Sequence, residues 1–377
     1  MDKRFWVAFN LIKGIGAVRL QALRDHFGDL ETAWQAPMDA LQAAGLGAKL
    51  AERVIQVRSS LDLEAFLKRI QDGGITILTW EDDLYPPRLK EIDQPPPVLY
   101  LRGSLSKEDT WAVAVVGTRR VSAYGRQVAE EIASYLASNG VTVVSGLARG
   151  VDSFAHQAAL KAGGRTLAVL GCGVDQVYPP EHRQLAEKII SVGVLMSDYA
   201  PGTPPDASNF PPRNRIISGL SMATVVVEAG DTSGALITAQ FAVDQGREVF
   251  AVPGNIYAPQ SKGTNRLIAQ GARPLLSGRD LLEILNLTRV TEQRQVRTTL
   301  PTDEIEKKLL AVLSQQPLHV DEIRSQTSLP IERVTATLTM LELKGLVRQA
   351  GGMNFSSVHE EQADYQVAKP MPMDKVR

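Results

Sequence analysis

The sequence predicts an α/β protein in which a doubly wound parallel sheet is preceded by a helical domain and followed by a winged helix. Short, nearly continuous apolar runs rich in Val and Ala recur from Trp111 onward, and helical segments separate them. Strands that are buried on both faces and joined by helices produce this pattern. Short helices broken by glycine precede this region, and a pattern of three helices and a hairpin follows it.

The first 60 residues contain short helical segments that glycine interrupts. Two interruptions, Gly14-Ile15-Gly16 and Gly45-Leu46-Gly47, stand directly before a helical segment. Glycine turns at a helix start can leave backbone N–H groups free to hold a phosphate, as helix-hairpin-helix modules do. The alternative is that these glycines only make tight turns. We predict a helical domain over residues 1–60.

Residues 61–287 are predicted to form the central sheet domain. A helix over 61–71, a strand over 75–80 and a proline cluster at 95–97 lead into it. The strand-like runs that follow are WAVAVVG, VTVVSG, RTLAVLGCG, VGVLMSDYA, MATVVVEAG and REVFAVPG. Helices are predicted between them over residues 125–139, 152–162, 181–191, 213–220 and 235–245.

The C-terminal part of the chain predicts a separate small domain. The polar segment TRVTEQRQVRTTLPTD indicates a linker over residues 288–300. Three helical segments and two short strands predict a winged helix over residues 301–356. This segment contains six basic and seven acidic side chains, so we expect it to bind a partner or itself rather than duplex phosphates. Residues 357–377 are predicted to be a flexible polar tail.

The composition excludes several classes of protein. The chain has 377 residues with 41 Lys and Arg against 42 Asp and Glu, so any site for a polyanion must be local. Its single cysteine, Cys172, and its five histidines show no metal-ligand spacing, and neither a metal nor a cofactor is predicted. The N-terminal residues lack the long apolar run of a signal peptide, which indicates a cytoplasmic protein without membrane insertion.

In a doubly wound sheet, ligands bind outside the carboxyl ends of the strands, so the loops after the strands are the candidate site. These loops combine glycines with arginines or lysines. Neither Gly-x-Gly-x-x-Gly nor a P-loop motif is present, which argues against a dinucleotide or ATP site. The pattern indicates a narrow groove for phosphates. The candidate residues are Gly117, Arg119, Gly146, Arg149, Phe210, Arg213, Asn214, Arg215 and Lys262.

Three side chains in these loops leave alternatives open. Arg149, beside a helix start, is expected to meet a phosphate, although a salt bridge with a carboxylate would also satisfy it. The ring of Phe210 either plugs its loop against the core or offers a face on which a base can stack. Glu228, at the end of an apolar strand, is either a general base or a hydrogen-bonded structural group.

The order and density of the motifs resemble the DprA/Smf family, the DNA-processing proteins of natural transformation. The motifs are VGTRR at 116–120, SGLARGVD at 145–152, FPPRNRIISGLS at 210–221, SGALITA at 233–239, VPG at 252–254 and KGTNRLIAQGA at 262–272. The resemblance implies an extended Rossmann-like core between an N-terminal helix-hairpin-helix or SAM-like domain and a C-terminal winged helix. It also implies that the core binds single-stranded DNA, forms a homodimer and hands the strand to the recombinase RecA, without catalytic turnover.

The resemblance also implies roles for individual residues. Ala207 stands where some relatives carry a lysine, so one phosphate contact is expected to be missing. Backbone and base contacts are implied for Arg119, Arg149, Phe210, Arg213 and Arg215, with Gly117, Gly146 and Lys262 in support.

Two other hypotheses belong to different classes of protein. Related Rossmann-like proteins of the lysine-decarboxylase-like group cleave nucleoside monophosphates, and the segment from Glu228 to Thr238 could serve such an enzyme. The third hypothesis is a scaffold whose groove binds nothing. The pair Arg213 and Arg215, together with Phe210 and the flanking domains, favours the DNA-binding protein, since a small-nucleotide enzyme does not need them.

Overall fold

The computed structural model describes residues 3–285, 287, 304–314, 317–343 and 346–357. The chain divides into two compact units, residues 1–288 and 289–377. The linker predicted over residues 288–300 lies outside the described residues. The predicted tail does as well, except for Ser357, which ends the last strand.

The N-terminal part of the first unit is helical, as predicted. Gly14 and Gly45 adopt φ angles of +106° and +93°, so both predicted turns use the conformational freedom of glycine. The helices bury Phe9 and Leu23 in the same hydrophobic core that the sheet contributes to. Residue 60, the predicted domain boundary, ends one helix inside this unit. The helices are α1 (Arg4–Asn10), α2 (Ala17–Phe27), α3 (Leu30–Gln35), α4 (Met38–Ala43), α5 (Ala48–Ser60) and α6 (Leu63–Asp72).

Among the described residues, nine strands form one sheet. The strands are β1 (Thr76–Thr79), β2 (Val98–Gly103), β3 (Ala112–Val116), β4 (Thr142–Ser145), β5 (Thr166–Val169), β6 (Val194–Ser197), β7 (Ala223–Val226), β8 (Glu248–Ala251) and β9 (Arg273–Pro274). Every residue of β3 to β7 is buried, which explains why the sequence shows continuous apolar runs there.

Helices lie between the strands of this sheet along the chain, and the last of them follows β9. They are α7 (Pro87–Lys90), α8 (Ala123–Ser138), α9 (Val151–Lys161), α10 (Arg183–Val192), α11 (Phe210–Leu220), α12 (Gly234–Asp244), α13 (Lys262–Ala269) and α14 (Gly278–Ile284). Helix α8 packs against α9, and α11 packs against α12.

The strand order β1-β2-β6-β5-β4-β3-β7-β8-β9 identifies the ligand-binding edge of the sheet. From β6 to β9 neighbouring strands are parallel, whereas β1 and β2 add an antiparallel extension. After β3 the chain adds strands on one side and later returns to add β7 on the other. Such a switch point opens a crevice at the carboxyl ends of the strands. The predicted α/β fold with an extended Rossmann-like core is confirmed.

The second unit has the predicted winged-helix architecture. Its helices are Glu304–Val312, Val320–Thr327 and Ile331–Leu343, and they bury Leu309, Ile323 and Leu338. The predicted hairpin consists of Val347–Gln349 and Asn354–Ser357. A short strand that the sequence did not predict, Leu318–His319, pairs with Asn354–Ser357, so the described residues form a three-stranded sheet.

In the part of the chain that the structure describes, no helix combines the length and apolar character needed to cross a membrane.

Candidate nucleic-acid interface

A small cleft lies at the carboxyl edge of the sheet, where the loops after β3, β4 and β5 meet the start of α11. It combines cationic, aromatic and glycine residues from segments that are far apart in the sequence. The residues that line it are Arg119, Gly146, Ala148, Arg149, Tyr178, Pro179, Phe210 and Arg213. Five of the predicted site residues are therefore brought together.

The ring of Phe210, the first residue of α11, forms one wall of the cleft. It packs so closely on the loop after β5 that a Cβ at Gly171 would lie 2.8 Å from the ring. Tyr178 lies beside it with 5.7 Å between ring centroids, and the Arg119 guanidinium lies 5.6 Å from the Phe210 centroid. The ring is only half buried. It thus supports its loop and still presents surface to the cleft.

The loop after β3 approaches α9 so closely that it explains why residue 117 is a glycine. A Cβ at this position would lie 2.5 Å from a methyl carbon of Val151 and 3.0 Å from the carbonyl oxygen of Glu228. The loop is held by the Thr118 amide, which donates to that carbonyl at 2.7 Å. Its next residue, Arg119, is exposed. Gly117 therefore has a structural role that places Arg119 at the mouth of the cleft.

Arg213 lies beneath the cleft and is only 4% exposed. Its guanidinium donates to the carbonyl of Gly146 at 2.9 Å and to the carbonyl of Val169. A Cβ at Gly146 would lie 2.7 Å from the same guanidinium, so only glycine fits there. Burial lowers the pKa of Arg213, and the nearby Asp152 carboxylate opposes that shift. Arg213 is thus placed to tie the ends of β4 and β5 together.

Asp152 is the buried counter-charge of Arg213. Its carboxylate accepts hydrogen bonds from the amides of Gly146 at 3.1 Å and Ala148 at 3.4 Å. Burial raises the pKa of Asp152, and the Arg213 charge counteracts this effect. The loop after β4 is therefore rigidly held from below, which presents Arg149 outward.

Arg149 forms the salt bridge that the sequence left as an alternative. Its Nε donates to Oε1 of Glu181 at 2.5 Å, and both side chains are about half exposed. This hydrogen bond raises the pKa of Arg149 and lowers that of Glu181. Exposed ion pairs are weak because water screens them. Arg149 can therefore exchange its carboxylate for a phosphate.

Besides Gly117, three predicted residues do not line this cleft. Asn214 is buried and donates from Nδ2 to the carbonyl of Gly234 at 3.3 Å. Arg215 points to another part of the molecule, where it pairs with Asp198 at 2.9 Å. Lys262 is exposed at the start of α13, after β8. Asn214 and Arg215 are therefore engaged in other contacts, and Lys262 is exposed outside this cleft.

Tyr178 and Glu181, in the loop after β5, are the neighbours of the cleft that were absent from the predicted set. The segment Tyr178-Pro179-Pro180-Glu181 follows a strand, and an aromatic residue in a proline-stiffened loop at that edge is the signal that could have indicated them.

Glu228 is occupied by a structural role. Its carboxylate is 3% exposed and accepts from the backbone amide of Ser122 at 2.9 Å and from the Ser122 hydroxyl at 2.5 Å. Both oxygens thus hold the start of α8. A carboxylate bound in this way cannot approach a substrate proton, so the geometry does not favour the nucleotide-hydrolase hypothesis.

A Rossmann-like sheet with a cationic and aromatic cleft at the carboxyl ends of its strands defines a class of α/β proteins suited to phosphate-bearing ligands. The chain matches the family of DNA recombination-mediator protein A over residues 76–286 and the DprA winged helix domain over residues 293–353. It belongs to the DNA recombination-mediator protein A family, as the resemblance predicted.

Curated relatives match almost the whole chain. Protein Smf of Synechocystis sp. is 38% identical, and the match covers 94% of this chain and 98% of that protein. Protein Smf of Escherichia coli is 35% identical, with 89% and 93% covered.

Solved structures show the same architecture. DNA processing protein A of Streptococcus pneumoniae superposes with a TM-score of 0.67 and 33% identity, covering 74% of this chain and 97% of that one. DNA processing protein A of Helicobacter pylori superposes with a TM-score of 0.51 and 30% identity, covering 56% of this chain and 95% of that one. The structure of the H. pylori protein concerns its single-stranded DNA binding mode.

Proposed function

We propose that the chain is a non-catalytic recombination mediator that binds single-stranded DNA in the cleft of Arg119, Arg149 and Phe210. The observation that supports it best is the half-buried Phe210 ring in the cleft, which has the Tyr178 ring centroid at 5.7 Å and the Arg119 guanidinium at 5.6 Å from its own centroid. Bases stack on aromatic rings while cations bind the backbone, and neither interaction requires a particular sequence.

Two further observations support this function. The first is that the structure of the H. pylori relative concerns the binding of single-stranded DNA. The cleft is narrow and lies in a chain with no net basic excess, which suits a single strand held at a few phosphates better than a duplex covered along its length.

Within this function, the chain protects incoming DNA in the cytoplasm and loads RecA onto it during natural transformation. It acts as a homodimer through the Rossmann-like domain. Apolar side chains that this domain leaves exposed, such as Leu276, are available for such a contact. The winged helix contributes a contact with a partner or with itself, because its charges are balanced.

The first test of this function is a fluorescence-anisotropy titration with a labelled single-stranded oligonucleotide and with its duplex at two salt concentrations. We expect a salt-sensitive preference for the single strand. Replacing Arg149 by alanine should weaken that binding several-fold and lower the slope of log affinity against log salt by about 0.7, the single-strand value for one phosphate.

The matched control for Arg149→Ala is Arg279→Ala, because Arg279 is also an exposed arginine paired with a glutamate, Glu283, at 2.7 Å. The single-strand affinity of Arg279→Ala and its slope against log salt should equal those of the wild type. Unchanged values in Arg149→Ala would refute the role of Arg149. Absence of any single-strand binding would refute the function itself, and nucleotide-hydrolysis assays would then follow.

Glu181→Gln is expected to strengthen single-strand binding several-fold. The substitution removes the charge that neutralises Arg149 and leaves an amide of similar shape at the rim of the cleft. The same titration at low salt measures this gain, which should shrink as salt is added. Glu283→Gln, at the control ion pair, should leave affinity unaltered. A loss of affinity in Glu181→Gln would contradict competition between Glu181 and phosphate.

A further inference from the structure

His182 follows Glu181, the carboxylate partner of Arg149, and is half buried. It ends the short 3₁₀ helix Pro180–His182 in the loop after β5 and is the N-cap of α10. N-cap side chains commonly accept hydrogen bonds from the first amides of their own helix. The side chain of His182 makes no such bond to α10. Its imidazole instead serves another segment of the chain.

The imidazole of His182 reaches the loop after β4. Its Nδ1 lies 2.9 Å from the carbonyl oxygen of Leu147. Because a carbonyl oxygen only accepts hydrogen bonds, Nδ1 carries the hydrogen and donates it. Leu147 stands two residues before Arg149. The hydrogen bond therefore links the segment that carries Glu181 to the loop that carries Arg149.

Leu147 has an uncommon backbone conformation. Its φ is +55°, in the left-handed region that residues with a Cβ seldom adopt. Its side chain is fully buried in the hydrophobic core. A backbone conformation of this kind persists only where the surrounding contacts hold it. The core holds the side chain of Leu147, and His182 binds its carbonyl.

The backbone groups on either side of Leu147 are bound by other side chains. Asp152 accepts from the two flanking amides, and Arg213 donates to the preceding carbonyl. Asp152 and Arg213 are buried, whereas His182 is half buried and belongs to the segment after β5. Three side chains from different parts of the chain thus hold the backbone that leads to Arg149.

Two links of different kinds join this loop to the segment after β5. The first is the ion pair of Arg149 with Glu181, in which both side chains are about half exposed. A phosphate that binds Arg149 takes the place of this carboxylate. The second link, from His182 to Leu147, does not involve the guanidinium. It therefore remains when Glu181 is displaced.

We propose that His182 is a positioning residue of the cleft, whose hydrogen bond to Leu147 keeps Arg149 in place when a DNA phosphate displaces Glu181. A side chain that is already held in its bound position loses less freedom when the ligand arrives, which strengthens binding. His182 acts through the loop and not by contact with the strand. The role of His182 rests on the proposed function, since it concerns the arginine that binds phosphate there.

Asparagine and leucine at residue 182 have nearly the same shape but differ in the group that faces Leu147. The Nδ2 of asparagine is bonded to Cγ, as Nδ1 of histidine is, so asparagine can donate to the same carbonyl. Leucine has no donor. Both variants also lack any positive charge that the imidazole carries. The difference between His182→Asn and His182→Leu therefore measures the hydrogen bond alone.

The experiment measures anisotropy titrations of the full-length chain with a labelled single-stranded oligonucleotide at several salt concentrations. We expect His182→Leu to weaken binding several-fold and to lower the salt slope by up to about 0.7, the value for one phosphate contact. His182→Asn should bind nearly as well as the wild type. The double variant Arg149→Ala/His182→Leu should bind no more weakly than Arg149→Ala, because no arginine is left to be misplaced.

His26→Leu is the control for the loss of a histidine. His26 is exposed in the last turn of α2 and does not line the cleft, so this variant should bind as the wild type does. Urea unfolding shows that each variant is folded before it is titrated. If His182→Leu does not fold, His182→Ala takes its place, since alanine also removes the donor.

The outcomes separate the role of His182 from the proposed function. If Arg149→Ala weakens binding and His182→Leu does not, the positioning role is refuted and the proposed function stands. Binding by His182→Asn as weak as that of His182→Leu would also refute this role, as would additive losses in the double variant. If the wild type binds no single strand, both proposals are refuted.

Discussion

Replacing Phe210 by alanine is expected to lower the affinity for a single-stranded oligonucleotide about tenfold, because stacking of one base on an aromatic ring contributes about 1–3 kcal/mol. The ring is the part of the cleft that a base can cover, with Tyr178 beside it and the Arg119 guanidinium 5.6 Å from its centroid. The effect should persist at high salt, since stacking releases no counterions. Anisotropy titrations at several salt concentrations measure it.

Phe210 also packs on Gly171, so the loss of packing must be separated from the loss of stacking. Phe210→Leu retains an apolar side chain without an aromatic face, and Phe210→Tyr retains the face. We expect Leu to bind as weakly as Ala and Tyr to bind nearly as well as Phe. Wild-type affinity in Phe210→Leu would show that the ring only plugs its loop.

Replacing Arg213 by methionine is expected to reduce the free energy of unfolding by about 3–5 kcal/mol, because it leaves two buried carbonyls without their donor and removes the positive charge near the buried Asp152 carboxylate. Arg213 is 4% exposed and supports the carbonyls of Gly146 and Val169, while Asp152 supplies the opposite charge. Urea unfolding of the full-length chain, monitored by a spectroscopic signal that arises from the first unit, measures this decrease in the free energy of unfolding.

The double variant Asp152→Asn/Arg213→Met separates the charge from the packing. It contains no buried charge at this position, and its stability should therefore exceed that of Arg213→Met alone. Stability of Arg213→Met close to that of the wild type would indicate that the pair does not hold the loops. In that case the role that the sequence suggested, direct contact with DNA, would be the better explanation for this arginine.

Most of the sheet could be predicted from the sequence because strands buried on both faces are rich in apolar residues. Every residue of β3 to β7 is buried, and buried polar side chains among them, such as Ser145 and Thr166, donate to backbone carbonyls. The location of the candidate site could also be predicted, since the carboxyl ends of parallel strands lie at the same edge of a sheet. Arg119, Arg149 and Phe210 do line one cleft. Their contact with DNA stays a prediction.

The partner of each charged side chain could not be predicted in this way. Arg213 and Arg215 are two residues apart in one motif, yet one is buried against Asp152 and the other pairs with Asp198 at a different cavity. Successive positions on a helix face different directions, and the partner of each depends on which strands are neighbours. Tyr178 and Glu181 reach the cleft for the same reason, from a loop that the chemical motifs did not mark.

The sequence by itself therefore determined the class of fold, the edge that carries the candidate site and the residue types available there, because burial and turn formation depend on local pattern. Only the tertiary structure decided which arginine is exposed, that Glu228 is bound at the start of α8, and that the glycine turn near the N-terminus lines the same cavity as Arg215. These properties depend on contacts between residues distant in the chain. Periodicity along the chain contains no information about such contacts.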